Sequence, residues 1–186
     1  MTPLPLGILA LAGAGGGGGA FDLLETTTTS ATSITYTGLD TLAAGYKNLQ
    51  IRMVARSNVS NPDVVMQFNG ASSNYSEHYL HYFQGNSAPT SEGYSSTAGI
   101  GQDGGLWRIA GTNRASSTYQ AAVIDIADFA SAQKNKTAKI LSGIGGFAIM
   151  LISGARFNTD AITSITIKTQ GGSNFQNSRF SLYGSL

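Results

Sequence analysis

His78 and His81 are the only imidazoles among the 186 residues, so general-base or metal chemistry in this chain would have to run through them. Three apart, they would share a face of a helix but point to opposite faces of a strand. Tyr79, Tyr82 and Phe83 around them favour the strand, so a common ligand site is not expected and both histidines read as structural. Glu77 stands beside His78 as a carboxylate that could polarise it. Asp125 and Asp128 are the nearest carboxylate pair; a strand would part them too, and Asp128 reads as the cap of a helical turn before Phe129. The absence of cysteine removes disulfides, thiolate nucleophiles and thiolate metal sites together. No Gly-x-Ser-x-Gly, phosphate-loop or His-Glu-x-x-His pattern occurs. Asp103 with Gly104 and Gly105 supplies too few carboxylates for calcium. The expectation is a protein without catalytic residues, metal or cofactor.

Gly13, Gly15 and Gly18 satisfy G-x-G-x-x-G, but that motif needs a helix N-terminus directly after it to hold a pyrophosphate. Here Phe21-Asp22-Leu23-Leu24-Glu25 and four threonines follow, a β-favouring run. Residues 1–20 read instead as an arm, with an apolar tip of Leu4, Leu6, Ile8, Leu9 and Leu11 and a conformationally free hinge at Gly15–Gly19. No Lys or Arg precedes Lys47, so the basic region of a signal peptide is missing. The apolar run falls short of the roughly 20 residues that span a membrane, so no membrane insertion is expected. Docking of the tip into a partner, between subunits, is the expected use of the arm.

One more set of side chains has binding chemistry. Tyr75, Tyr79, Tyr82, Tyr94 and Trp107 surround a long polar stretch, Gln84–Gly105, and exposed rings there could stack on sugars with Asn and Ser as hydroxyl partners. The competing reading packs the same rings into the core or against a neighbouring subunit.

The elements that must position these groups are strands. In Asn48–Ser57, Leu49, Ile51, Met53 and Ala55 alternate with Gln50, Arg52 and Arg56, and Val54 is the one apolar residue on the wet side. The same period of two recurs at Phe21–Thr29, Thr32–Thr37, Val64–Phe68, Asn74–Phe83, Leu106–Ile109, Tyr119–Phe129, Ala138–Gly143, Phe147–Arg156, Ala161–Thr169 and Arg179–Gly184. Turn signals separate them at Pro62, Asn69-Gly70, Gly145-Gly146 and Gly171-Gly172. About nine or ten of these runs, taken as strands of one domain, residues 21–186, predict an all-β, jelly-roll-like antiparallel β-sandwich preceded by the extended glycine-rich arm. Charged residues make up only 11% of the chain, well below the usual quarter, and the formal net charge is +1. Nothing in that balance calls for nucleic acid or an anionic membrane. A surface of hydroxyls and amides repels its neighbours weakly and suits dense packing beside copies of itself.

Tyr46-Lys47-Asn48-Leu49-Gln50-Ile51-Arg52, Asn74-Tyr75-Ser76-Glu77-His78 and Ser178-Arg179-Phe180-Ser181-Leu182-Tyr183-Gly184 occur here in that order. Between them lie Val123-Ile124-Asp125-Ile126-Ala127-Asp128-Phe129-Ala130 and Ala161-Ile162-Thr163-Ser164-Ile165-Thr166. Taken together, residues 21–186 resemble small β-sandwich virion structural proteins of tailed bacteriophages. The resemblance implies a protein made in the host cytoplasm and displayed on the particle surface, as a fibre or tail-appendage component or as a capsid decoration (cement) protein. It implies no functional residues. The expected partners are further copies of the chain, as a homotrimer, other virion proteins held through residues 1–20, and host surface glycans met by the loop aromatics. A free carbohydrate-binding module is the alternative outside the virion class.

Overall fold

The computed structural model describes residues 20–60, 62–102 and 107–186. Leu4, Leu6, Ile8, Leu9, Leu11, the glycine tract and Asp103–Leu106 lie outside the described residues. Eleven strands run through the described chain: β1 (Asp22–Thr29), β2 (Ser33–Thr37), β3 (Asn48–Ala55), β4 (Val64–Phe68), β5 (Tyr75–Phe83), β6 (Thr90–Thr97), β7 (Gln120–Ala127), β8 (Lys136–Ile144), β9 (Ala148–Arg156), β10 (Ser164–Thr169) and β11 (Ser178–Ser185). A single-turn helix, α1 (Leu39–Leu42), occupies the turn before β3. The strands form two sheets, one of eight in the order β1-β11-β3-β7-β8-β9-β5-β6 and one of three in the order β2-β10-β4. Every ladder is antiparallel. The molecule is an all-β antiparallel sandwich, as the alternation predicts.

The inward phase of each strand builds the core. Leu49, Ile51 and Met53 of β3 meet Ile124 and Ile126 of β7, Ile140 of β8, Ile152 of β9, and Phe180 and Leu182 of β11, all buried. From the small sheet come Ile34, Tyr36, Val64, Met66, Phe68, Ile165 and Ile167. Three strands cannot cover eight, and connecting segments supply the rest of the lid: Ile100, Trp107, Ile109, Phe129, Ile162 and Phe175 are core residues outside any strand.

These segments are pinned by hydrogen bonds. Ile100 exchanges both backbone bonds with Met66 of β4, at 2.8 and 2.9 Å. Its side chain rests on Gly154 of β9, where an added Cβ would lie 2.6 Å from Ile100 Cγ1. The next residue, Gly101, has φ +95° and no room for a side chain, because a Cβ would fall 2.3 Å from the Val64 carbonyl oxygen. Its amide donates to the buried carboxylate of Glu77. Asn69, in the turn after β4, accepts from the amides of Thr163 and Ser164 and donates to the Ala161 carbonyl, tying that turn to β10.

Several expectations change. Val65 and Gln67 are not wet; Gln67 donates to the Ala98 carbonyl at 2.6 Å under the same covering segment. The stretch around Trp107 is not a strand, and makes only isolated bridges, Asp63 to Arg108 and Arg56 to Ala110. One expectation here stands: the polar stretch Gln84–Gly105, read as surface loop around one weak strand, contains one strand among its described residues, the edge strand β6. Asp128 caps no helix: its φ is +49° and its carboxylate pairs with Lys134 at 2.7 Å in a reverse turn. Arg56, placed on the wet face by its phase, is 6% exposed.

Two stability predictions follow from this packing. Gly154→Ala is expected to destabilise the fold by about 1–3 kcal/mol through overpacking against Ile100. Gly145→Ala, which meets no atom within 4 Å, should stay within about 0.5 kcal/mol; urea unfolding of the pair checks both. Burial, with the nearby Glu25 charge adding to it, raises the pKa of the Tyr36 phenol. The unfolded chain ionises tyrosine near pH 10 whereas the native state resists, so protons leave the unfolded state first and stability falls as pH rises past about 10. Because the Tyr36 hydroxyl is buried with no hydrogen-bond partner among the described residues, Tyr36→Phe should unfold no more easily at pH 7 and show a shallower alkaline loss. Unfolding free energies measured at pH 7 and pH 10.5 (roughly half a unit above the pKa of a free tyrosine) test this.

Candidate functional site

The outward phase of the large sheet is unusual in being apolar across its middle. Register aligns Arg52 of β3 with Val123 of β7, Leu141 of β8, Leu151 of β9 and Leu80 of β5 in one cross-strand row. The neighbouring row runs Val54, Ala121, Gly143, Ile149 and Tyr82. Leu80, Leu141 and Ile149 are 52, 54 and 56% exposed. Single exposed apolar residues are ordinary on a surface, but contiguous rows mark a site of contact. Ala121 and Gly143 leave a gap in the second row, and the trough above them, about 650 Å³, has Val54, Val123, Leu141 and Ile149 for walls and Arg52 and Arg179 at one end. Knobs and a hole therefore lie side by side on one face. A polar row borders them, in which Arg52 Nε donates to Gln50 Oε1 and Gln50 Nε2 to Asp125 Oδ1, each at 2.8 Å.

A second surface feature lies where β1 and β3 finish and β7 and β11 begin. It is an open cleft of about 740 Å³. Ser30 follows β1, Arg56 and Asn58 follow β3, Thr112, Arg114, Ser116 and Tyr119 lie on the segment entering β7, and Asn174, Gln176 and Asn177 on the segment entering β11. Arg56 holds this end together. Its Nη1 donates to the carbonyls of Ala115 (2.7 Å) and Thr118 (3.0 Å), Nη2 to that of Arg114 (3.3 Å), and Nε to Gln176 Oε1 (3.2 Å). All four acceptors are neutral, and no carboxylate lines the cleft among the described residues. Arg114 places its guanidinium 3.8 Å from the centre of the Phe147 ring, and its Nε–H is buried without an acceptor among the described residues.

The five aromatics separate. Tyr75, Tyr79 and Trp107 are core residues, 0, 2 and 0% exposed, and have no free face for a sugar. Tyr75 accepts from the Phe68 amide at 2.7 Å, and the Tyr79 ring meets the half-buried Tyr94 edge-on. Tyr82 alone of the five is exposed, and it ends the second apolar row rather than joining the others. The physical reason is the phase of β5, whose odd-numbered residues from Tyr75 to His81 point inward. That phase also turns His78 outward and His81 inward, and it puts Glu77 on the face opposite His78, where it cannot polarise that ring. Asp125 lies on the outer face of β7 and Asp128 beyond its end, so the two carboxylates share no site. Leu4, Leu6, Ile8, Leu9 and Leu11 are outside the described residues.

The apolar rows were visible in the sequence only as single misplaced residues, Val54 being the clearest. The cleft had no sequence signal, because its residues come from four segments far apart in the chain. No protein-family model matches the chain, and no curated protein matches it.

Arg56→Lys is expected to cost about 2–4 kcal/mol, since one ammonium cannot replace a planar fork that serves three carbonyls and an amide. Chemical denaturation of the variant measures it; an unchanged midpoint would show that the fork is dispensable.

Proposed function

We propose that the chain is a non-catalytic structural subunit of a tailed-phage virion, displayed at the particle surface as a fibre or tail-appendage component. Copies pack through the outer face of the large sheet, and the arm, residues 1–20, fastens them to other virion proteins. The observation that carries this reading is the pair of apolar rows on that face. The order of the strand and turn motifs, the low charge and the apolar tip of the arm support it.

The partner that fits the face is another copy, because knobs (Leu141, Leu151) and trough (Ala121, Gly143) lie side by side, which is what a self-complementary patch requires. Each half-exposed aliphatic side chain gains about 1 kcal/mol when covered, at about 25 cal/mol per Å². Val54, Leu80, Val123, Leu141, Ile149 and Leu151 from each of two copies therefore contribute on the order of 10 kcal/mol. That matches the cost of association, about 4–15 kcal/mol, so the face makes a modest contact and the arm's anchorage is needed for a durable one. A two-fold contact yields a dimer and a closed ring of heterologous contacts the trimer expected above.

Light scattering on the full chain separates these outcomes. A mass of two or three times 19.3 kDa is expected, falling to one when Leu141→Glu and Leu151→Glu are combined, with unfolding free energy changed by less than about 1 kcal/mol because both positions are exposed. A wild-type chain that stays monomeric at high concentration, or a double variant of unchanged mass, overturns the assembly. Copy number per particle then tells an appendage (tens) from a shell decoration (hundreds).

A further inference from the structure

The geometry points to the chain's own arm as the occupant of the trough on the outer face: in the free chain the apolar tip (Leu4, Leu6, Ile8, Leu9 and Leu11) lies there as a latch and closes the surface through which copies pack. This rests on the proposed function and deepens it. Capture of the tip by another virion protein empties the trough, so copies join where the arm is anchored.

The first argument is where the arm begins. Asp22 opens β1 at the edge of the large sheet. Its carboxylate accepts from the Tyr46 hydroxyl at 3.0 Å, and the Tyr46 ring packs on Gly184, which belongs to the inward phase of β11. Asp22 therefore faces the inner side, and alternation sends Phe21 to the outer one. The Phe21 ring centre lies 5.6 Å from the Arg52 guanidinium carbon, and the Tyr183 ring centre lies 4.3 Å from the same atom. Both are within the range of cation–π attraction, and Arg52 is an end wall of the trough. The residue that joins the arm to the sheet thus sits on the outer face beside the trough.

Reach is the second. Leu11 precedes Phe21 by ten residues, with only alanine and glycine between them. A glycine-rich linker of that length averages about 17 Å end to end and extends to roughly 33 Å. The trough runs from Arg52 on β3 to Ile149 on β9, three strand spacings or about 14 Å. A tether whose mean length is comparable with the span it must cross gives a local concentration of roughly millimolar order. The arm of a second copy meets the trough at no such concentration, so the chain's own arm is the occupant.

Chemistry is the third. Residues 1–20 carry no ionisable side chain. An uncharged aliphatic segment fits walls of Val54, Val123, Leu141 and Ile149 over a floor of Ala121 and Gly143, where the sheet offers nothing large enough to fill the gap. An acidic peptide would find two arginines at one end and hydrocarbon along the rest. Left in water, tip and trough would each expose contiguous apolar surface; together they cover one another.

Spin labelling of the full chain tests the contact, and the absence of cysteine makes one introduced thiol a unique site. Gly145→Cys lies on the rim of the trough, where an added Cβ meets nothing within 4 Å. Thr35→Cys lies exposed on β2, on the other side of the sandwich. At concentrations where the chain is monomeric, a nitroxide on the first variant should broaden the methyl signals of Leu4, Leu6, Ile8, Leu9 and Leu11; on the second it should leave them sharp. Ile8→Asp combined with Leu9→Asp should release the latch. If the arm closes about two faces in three, and both partners of a two-fold contact must be open, the pair of changes tightens self-association about ninefold in sedimentation equilibrium. The latch is overturned by equal broadening from the two labels, by sharp signals with both, or, in a chain that self-associates, by a tip variant of unchanged or weaker affinity. Weaker affinity is the result if arms bridge between copies. If neither chain associates at any concentration, broadening from the trough label keeps the latch and ends the assembly reading; copies that pack through the face while the tip stays sharp do the reverse.

Discussion

Covering eight strands with three is the constraint around which this molecule is built. A sheet as wide as β1-β11-β3-β7-β8-β9-β5-β6 has an apolar inner face that β2, β10 and β4 cover only in part. The remainder is closed by irregular chain, and irregular chain carries backbone amides and carbonyls that must find partners when buried. Hence the fastening of Ile100 to Met66, of Gly101 to Glu77, of Asn69 to the start of β10, and of the segment entering β7 to Arg56. Arg56 and Glu77 are charged residues inside a sandwich because they stand in for missing ladder bonds, Arg56 with four hydrogen bonds and Glu77 by taking the Gly101 amide.

The same constraint separates the two surface features. Strands cover one face of the large sheet with core, so the other face is left uncovered by the described residues along most of its width, and there the apolar rows lie. The connecting segments, bent over the open ends of the sandwich, meet at the end where β1 and β3 finish, and there the cleft lies. Arg56 belongs to both arrangements: its guanidinium fixes the segment entering β7 to the segment entering β11, and in doing so sets the walls of the cleft. The apolar rows and the cleft thus belong to different parts of the fold, a flat sheet for the first and loops for the second, in keeping with how such scaffolds divide rigidity and variation.

Much of the fold was legible in the residues. Alternation in Asn48–Ala55, Gln120–Ala127 and Ser178–Ser185 predicted the inward faces of β3, β7 and β11 because a strand has a strict period of two. Legibility failed where that period stopped being informative. β4 reads as half-exposed, yet both its faces are covered, the second by a segment 30 residues later. Trp107 and Ile109 look like a strand since they are apolar and alternate, but they serve as lid. The Tyr75, Tyr79 and Trp107 rings looked like ligand contacts because aromatic identity does not reveal depth.

Local pattern alone determined that the chain is a β-protein, that most of its strands would present the residues they do to the core, and that no familiar catalytic motif is spelled out in it. Each of those properties is decided within a few residues, by side-chain alternation or by fixed spacing. Tertiary structure alone decided that β3, β7, β8, β9 and β5 are neighbours, and with that order it turned scattered outward Val, Leu and Ile residues into continuous rows. It decided too that Arg56 folds inward beneath a segment about 60 residues away and that four such segments enclose one cleft. Strand order and loop packing are set by contacts distant in sequence, where the total burial of many segments, rather than the preference of any one, selects the arrangement.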